Sequence, residues 1–346
     1  MYINLMQEEN RNNNILRWLL LITLLVGLMI IVGGLTRLTD SGLSITKWNL
    51  FSGVIPPLTI DGWEKTFSLY KQIPEYYLEN FNMTLNEFKF IYWWEYVHRL
   101  LGRVIGLFYI LPLFYFTFKD KLEKKTLFPL YLIALLICFQ GFIGWYMVMS
   151  GLTKNTDVSH YRLSLHLTLA FIIFILLLLN FLKYKYKKIY SSNHKLPYYI
   201  PIIFLFIVLV QISTGALVSG LDAGQIYQTW PLMNSTYFPD DSDIKTFFSL
   251  NSLETPSIVQ FIHRNIAYCI LFFYLIIFYI TLKNKNLMYL KRTVLFIFFV
   301  LLIQIFLGII TILSGAQIII ASLHQIGSIF LVSTSLILVF KNSKIN

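Results

Sequence analysis

The chain has 346 residues, of which 57% are hydrophobic and 13% charged, and a formal net charge of +11. A water-soluble domain runs nearer one-quarter charged, and 30 Phe with 22 Tyr rule out intrinsic disorder. Two cysteines exclude a disulfide scaffold and a four-thiolate metal site. In so apolar a chain the positive charge reads as membrane topology, and no nucleic-acid partner is expected.

Apolar runs long enough to cross a hydrocarbon core lie near 16–35, 93–118, 127–149, 161–182, 198–219, 259–282, 292–314 and 318–340. This predicts an all-α integral membrane protein with eight transmembrane helices. The first run has no small-residue cleavage site and continues into GGLTRLTDSG, so it reads as a retained helix. Arg11, Arg17, Lys119, Lys121, Lys124, Lys125, Lys183, Lys185, Lys187, Lys188, Lys195, Lys283, Lys285, Lys291, Arg292, Lys341 and Lys344 all fall on one side of these runs. The positive-inside rule then places both termini in the cytoplasm, with anionic lipid as the partner of the basic loops; a bacterial inner membrane is the simplest home, and a gene encoded inside an organelle would look the same. Two opposite-side segments, about 36–92 and 220–258, are long and rich in Trp, Tyr, Pro and Gly; short interfacial helices are expected there.

The chain reads as one four-helix unit written twice. At an offset of 182, Gly33, Asp40, Gly42 and Trp48 match Gly215, Asp222, Gly224 and Trp230. His98 and Arg99 match His263 and Arg264. Gln140, Gly144, Ser150 and Gly151 match Gln304, Gly308, Ser314 and Gly315, and SLHL around His166 matches SLHQ around His324. An even number of spans per copy predicts two tandem parallel four-helix bundles, residues 1–190 and 191–346.

Four of the six histidines belong to this repeat, each about five residues into an even-numbered span. Two imidazoles at matched depth in one bundle suit the axial ligation of a haem iron. A histidine that merely bridges two helices is the plain alternative, and zinc lacks a complete ligand shell. His160 stands at the mouth of the fourth span, where it could support a ligand from behind, and His194 lies in a basic loop. Arg99 and Arg264 follow presumptive ligands and suit haem propionates through their forked donors; Arg37, Arg103 and Arg162 lie near the same face. The copies differ at one informative place: Glu95 stands three residues before His98, where the second copy has Gln260. A carboxylate on the helix face of a ligand can move protons; an interfacial ion pair with a nearby Arg is the alternative.

The stretches GGLTRLTDSGLS with TKW, EYVHRLLGR, GWYMVMSGL, SLHL, GALVSGLDAGQIYQTWPLMN, FIHR, LSGA and SLHQ resemble the haem A synthase family over residues 30–335. The resemblance implies an oxidoreductase that converts haem O to haem A, oxidising a ring methyl to a formyl group by two hydroxylations and loss of water, for use in cytochrome oxidase. It implies a resident haem b on His263 and His324, and a substrate haem O site framed by His98 and His166 with Glu95 as catalytic carboxylate. Membrane lipid, an electron donor and the haem O synthase upstream are the implied partners, and a homo-oligomer is compatible with the reading. Some relatives carry a cysteine pair in the first outer loop; here that loop has none, and Cys138 and Cys269 lie inside spans, so the chain resembles the cysteine-free branch. A di-haem b electron carrier linked to quinol is the rival reading.

Overall fold

Helix boundaries follow capping chemistry as much as hydropathy. The computed structural model describes residues 2–48, 52–152, 156–186 and 195–343, with side chains from residue 13 onward. Arg11, Lys187, Lys188, His194 and Lys344, named above for their side chains, lie outside what is described. The helices are α1 Tyr2–Leu38, α2 Ile60–Tyr70, α3 Pro74–Leu78, α4 Leu85–Phe118, α5 Lys124–Gly151, α6 His160–Lys185, α7 Tyr199–Gly220, α8 Ile244–Phe247, α9 Pro256–Lys283, α10 Lys291–Leu313 and α11 Ile318–Asn342. Among the described residues eight of them, α1, α4, α5, α6, α7, α9, α10 and α11, are long and apolar enough to cross a membrane. The remaining short helices occupy the two long loops.

α4 begins eight residues before the apolar run that announces it. Thr84 and Glu87 form a capping box: the Thr84 amide donates to Glu87 Oε2 at 2.8 Å, and the Glu87 amide donates to Thr84 Oγ1 at 3.4 Å. The added turns carry Phe88, Ile91 and Tyr92 into a buried aromatic cluster with Trp63, Phe67 and Tyr70 of α2. The first long loop is thus packed onto the start of α4 by ring contacts such as Phe67–Phe88 at 4.9 Å and Trp63–Tyr92 at 4.9 Å.

The chain divides into two compact units, Leu21–Phe174 and Met1–Leu20 with Ile175–Asn346, so that α1 and α6 contribute to both. In the unit Leu21–Phe174, α4 packs on α5 and on α2. α1 meets α4 where Gly33 faces His98, α5 meets α6 where Gly144 faces His166, and Gly27 of α1 faces Phe174 of α6. In the other unit, α7 packs on α9 and α11, and α10 packs on the same two.

The internal repeat extends to details that bare sequence does not show. Asp40 and Asp222, matched in the repeat, both adopt a left-handed backbone (φ 46° and 49°) just past the ends of α1 and α7. A short polar side chain tolerates that conformation better than other non-glycine residues. Tyr109 of α4 donates to the Leu130 carbonyl of α5 at 2.8 Å, and Tyr274 of α9 donates to the Val294 carbonyl of α10. Both tyrosines are fully buried. Tyr109→Phe and Tyr274→Phe, which leave a carbonyl without its partner in an apolar interior, are each expected to lower stability by about 1 kcal/mol; thermal unfolding of the detergent-solubilised variants checks it.

Candidate functional site

Each unit brings two of the repeated histidines together. His98 on α4 and His166 on α6 face one another with ring centroids 6.4 Å apart and planes at 70°. His263 on α9 and His324 on α11 lie within electrostatic reach of each other. All four rings are half-buried, and every one is accommodated by a glycine on the neighbouring helix. A Cβ at Gly144, Gly215 or Gly308 would stand 3.0 Å from Cε1 of His166, His263 or His324, and one at Gly33 would stand 3.2 Å from Nε2 of His98. Close approach of helix and imidazole is what these glycines permit.

One turn before three of those glycines stands a glutamine. Gln140, Gln211 and Gln304 donate through Nε2 to the backbone carbonyls of His166, His263 and His324 at 3.0, 3.0 and 2.8 Å. Gln140 and Gln211 also reach a ring nitrogen at 3.2 Å, and Thr214 Oγ1 lies 3.1 Å from His263 Nδ1. The Oε1 atoms of all three glutamines, and Nδ1 of His324, are buried with no hydrogen-bond partner.

These features fit a haem iron. A metal bound by one nitrogen of each ring, at bonds of about 2 Å with nitrogens about 1 Å from their ring centres, asks for centroids about 6 Å apart; His98 and His166 stand at 6.4 Å. A ligating imidazole carries its proton on the other nitrogen and needs an acceptor for it; Thr214 Oγ1, 3.1 Å from His263 Nδ1, is such an acceptor. Among the described residues no group of three or more His, Cys, Asp or Glu converges on one point. Two imidazoles complete the shell of a metal that already holds four porphyrin nitrogens, and leave bare zinc short.

Glu95 and Arg99 are brought to the end of the same pocket, engaged with the loop that follows α1. Buried Glu95 accepts from Ser44 Oγ and from the Ile45 amide, both at 2.7 Å, and pairs with Arg99, whose NH2 lies 2.6 Å from Oε1. Arg99 also donates to the Ile45 carbonyl at 2.8 Å and lies 5.0 Å from the Trp48 ring. In the second unit Arg264 donates to the Tyr227 carbonyl at 2.9 Å and to that of Leu232 at 3.3 Å, while Gln260 donates to the Tyr227 carbonyl at 3.1 Å. Residues 45 and 227 are partners at the offset of 182. The arginines expected at propionates therefore spend these donors on loop carbonyls, and the exchange of Glu95 for Gln260 changes what is clasped: an amide N–H and a hydroxyl in one unit, a carbonyl in the other. Arg37 pairs with Asp40 and Asp157, and Arg162 caps the Tyr146 carbonyl. His160 opens α6 with its ring against Tyr161.

The chain matches the COX15-CtaA family, described as cytochrome oxidase assembly protein, over residues 16–336. It belongs to that family. It is 47% identical over 345 residues to "Heme A synthase" of Pelagibacter ubique (strain HTCC1062), covering 99% of this chain and 100% of the relative. It is 46% identical over 326 residues to "Heme A synthase" of Rickettsia bellii (strain RML369-C), covering 92% and 96%, and 43% identical over 323 residues to that of Rickettsia felis (strain ATCC VR-1525 / URRWXCal2), covering 92% and 95%. With eight helices able to span, this family member is a multi-pass membrane protein, and its bacterial relatives accord with an inner-membrane location.

Sequence reading missed one buried acid. Glu75 of α3 lies inside the loop cluster beside Tyr70, with Oε2 unpartnered. Burial pushes its carboxyl up to about 8, a hydrogen bond with Tyr70 opposes this, and the charges of Glu95, Asp157 and Glu79 add to it. The signal available in the sequence was a lone acid among Tyr70, Ile73, Tyr76 and Tyr77. Because the folded carboxyl holds its proton above the ordinary value of 4.5, folding takes up a proton between that value and about 8. Stability then falls as pH rises through the window, by at most about 1.4 kcal/mol per pH unit. Glu75→Gln is expected to flatten this dependence in thermal unfolding measured across the window; an unchanged slope would refute the assignment.

Proposed function

We propose that this protein is a haem A synthase, oxidising a ring methyl of haem O to a formyl group by two hydroxylations and loss of water. The observation that carries the reading is the facing pair His98 and His166 at metal-binding separation, in a chain whose relatives bear the name "Heme A synthase". His98 and His166 hold the substrate iron in the first four-helix bundle. His263 and His324 hold a resident haem b in the second, which supplies one-electron chemistry when bound. The donor behind it, and the cytochrome oxidase that takes the product, are partners in this reading. The basic loops and both termini face the cytoplasm, and the long loops cover the haem-binding ends.

The chain's own residues account for much of the task. Glutamine tethers and glycine contacts fix the imidazoles on three helices. The aromatic loop cluster over α4 keeps water from the first pocket. Glu95 stands on the His98 side of α4, one turn away, and takes up the proton released as the methyl is oxidised. Its Oε1 is held by Arg99, so protonation there loosens the arginine's grip, while Ser44 Oγ and the Ile45 amide keep Oε2 in place. Lipid-facing apolar surface accepts the long tail of the substrate.

Haem extracted from the protein, purified from cells that also make haem O and identified by mass, tests the reading. Haem b together with haem O, its hydroxylated form or haem A is expected. Glu95→Ala is expected to shift the mixture towards haem O by about tenfold or more. Two equivalents of haem b with no other haem would instead make the protein a di-haem electron carrier.

A further inference from the structure

The four imidazoles are not held alike. His166, His263 and His324 are each tethered by a glutamine four residues before the facing glycine. At the corresponding place before Gly33, α1 carries Met29. Its terminal methyl lies 3.4 Å from where a Cβ on Gly102 would stand, one turn beyond His98. A thioether donates no hydrogen bond and is flexible, so no tether reaches the His98 backbone from this position. Among the described residues the His98 ring has no hydrogen-bond partner either, unlike His166 and His263.

We propose that His98 is the releasable ligand of the substrate iron and that Met29 makes it so. This rests on the reading of the first pocket as the substrate site. One bundle tethers both of its histidines and suits a permanent group. The other tethers only His166, so the iron keeps one firm ligand while His98 is free to swing aside. The iron–nitrogen bond to His98 breaks and a small neutral ligand takes the position; no electron moves in that exchange. Met29 is a positioning residue, acting through His98.

Carbon monoxide binding to the dithionite-reduced protein, purified with haem O bound, reads ligand release without turnover. In the wild type, carbon monoxide is expected to bind the haem O iron and leave the haem b spectrum unchanged. Met29→Gln, which restores the missing tether, is expected to slow that binding about tenfold with haem O content unchanged. His98→Ala is expected to retain haem O in a five-coordinate spectrum, whereas His166→Ala loses it about tenfold or more. Equal loss of haem O from the two alanine variants, or wild-type carbon monoxide kinetics in a haem-O-loaded Met29→Gln protein, would overturn the proposal while leaving the substrate site intact. Failure of the wild type to hold haem O at all would instead overturn the site itself.

Discussion

An imidazole inside a membrane helix has no water to satisfy it, so each histidine of this protein depends on how closely a neighbouring helix can approach. Four glycines set that distance, with a Cβ position about 3 Å from the facing ring in every case. Such a contact does three things at once. It brings two helices together, it fixes the plane of a ring, and it excludes any larger residue from the position. The glutamine one turn earlier adds an interhelical hydrogen bond to a carbonyl that its own helix also uses, a bond best formed where backbones run close. Helix packing and the placing of the imidazoles are therefore one constraint, and the repeated spacing of Gln and Gly records it.

The two units show what a duplicated scaffold keeps and what it releases. Both keep the left-handed Asp at the end of a helix, the tyrosine that seals a neighbouring carbonyl, and the arginine that clasps the loop at residue 45 or 227. These maintain architecture and have no reason to differ. The departures sit next to one histidine: Met29 replaces the glutamine tether of His98, and Glu95 replaces the amide found at Gln260. Departures gathered at one histidine out of four are where a functional difference between otherwise matched units is to be sought.

Legibility in the sequence followed the physics of each signal. Membrane spans are announced by long apolar runs, and all eight matched helices in the structure; the long loops likewise contain the short helices their composition suggested. The histidines were legible because ionisable residues at matched depth are rare. The early start of α4 was not, because the Thr84–Glu87 capping box lies in a polar segment that hydropathy ignores. Glu75 was silent because nothing in a local pattern says that a loop will fold over its own acid. The role of the glutamines was half legible: Gln140 and Gln304 stood out as repeat partners, but Gln211 and the gap at Met29 acquire meaning only once the facing histidine is known. Arg99 and Arg264 read as cations for a ligand because charge is visible in sequence and backbone carbonyls are not.

The clasp at Glu95 joins these strands. A buried carboxylate is tolerable in an apolar pocket only when its charge is met, and here a guanidinium, a hydroxyl and a backbone amide meet it together. The same contacts fasten the loop to the helix that carries His98. Any change of charge at Glu95 therefore acts on the loop through Arg99 and on α4 through its own backbone, at the one histidine that no glutamine restrains. The second unit has no counterpart: Gln260 and Arg264 hold Tyr227 by neutral acceptors that do not change with proton transfer. In the proposed function, a single carboxylate then ties proton uptake to the hold on a single histidine, with the other three held by helix packing, and the freedom of the scaffold is confined to the place where a substrate would be bound, altered and let go.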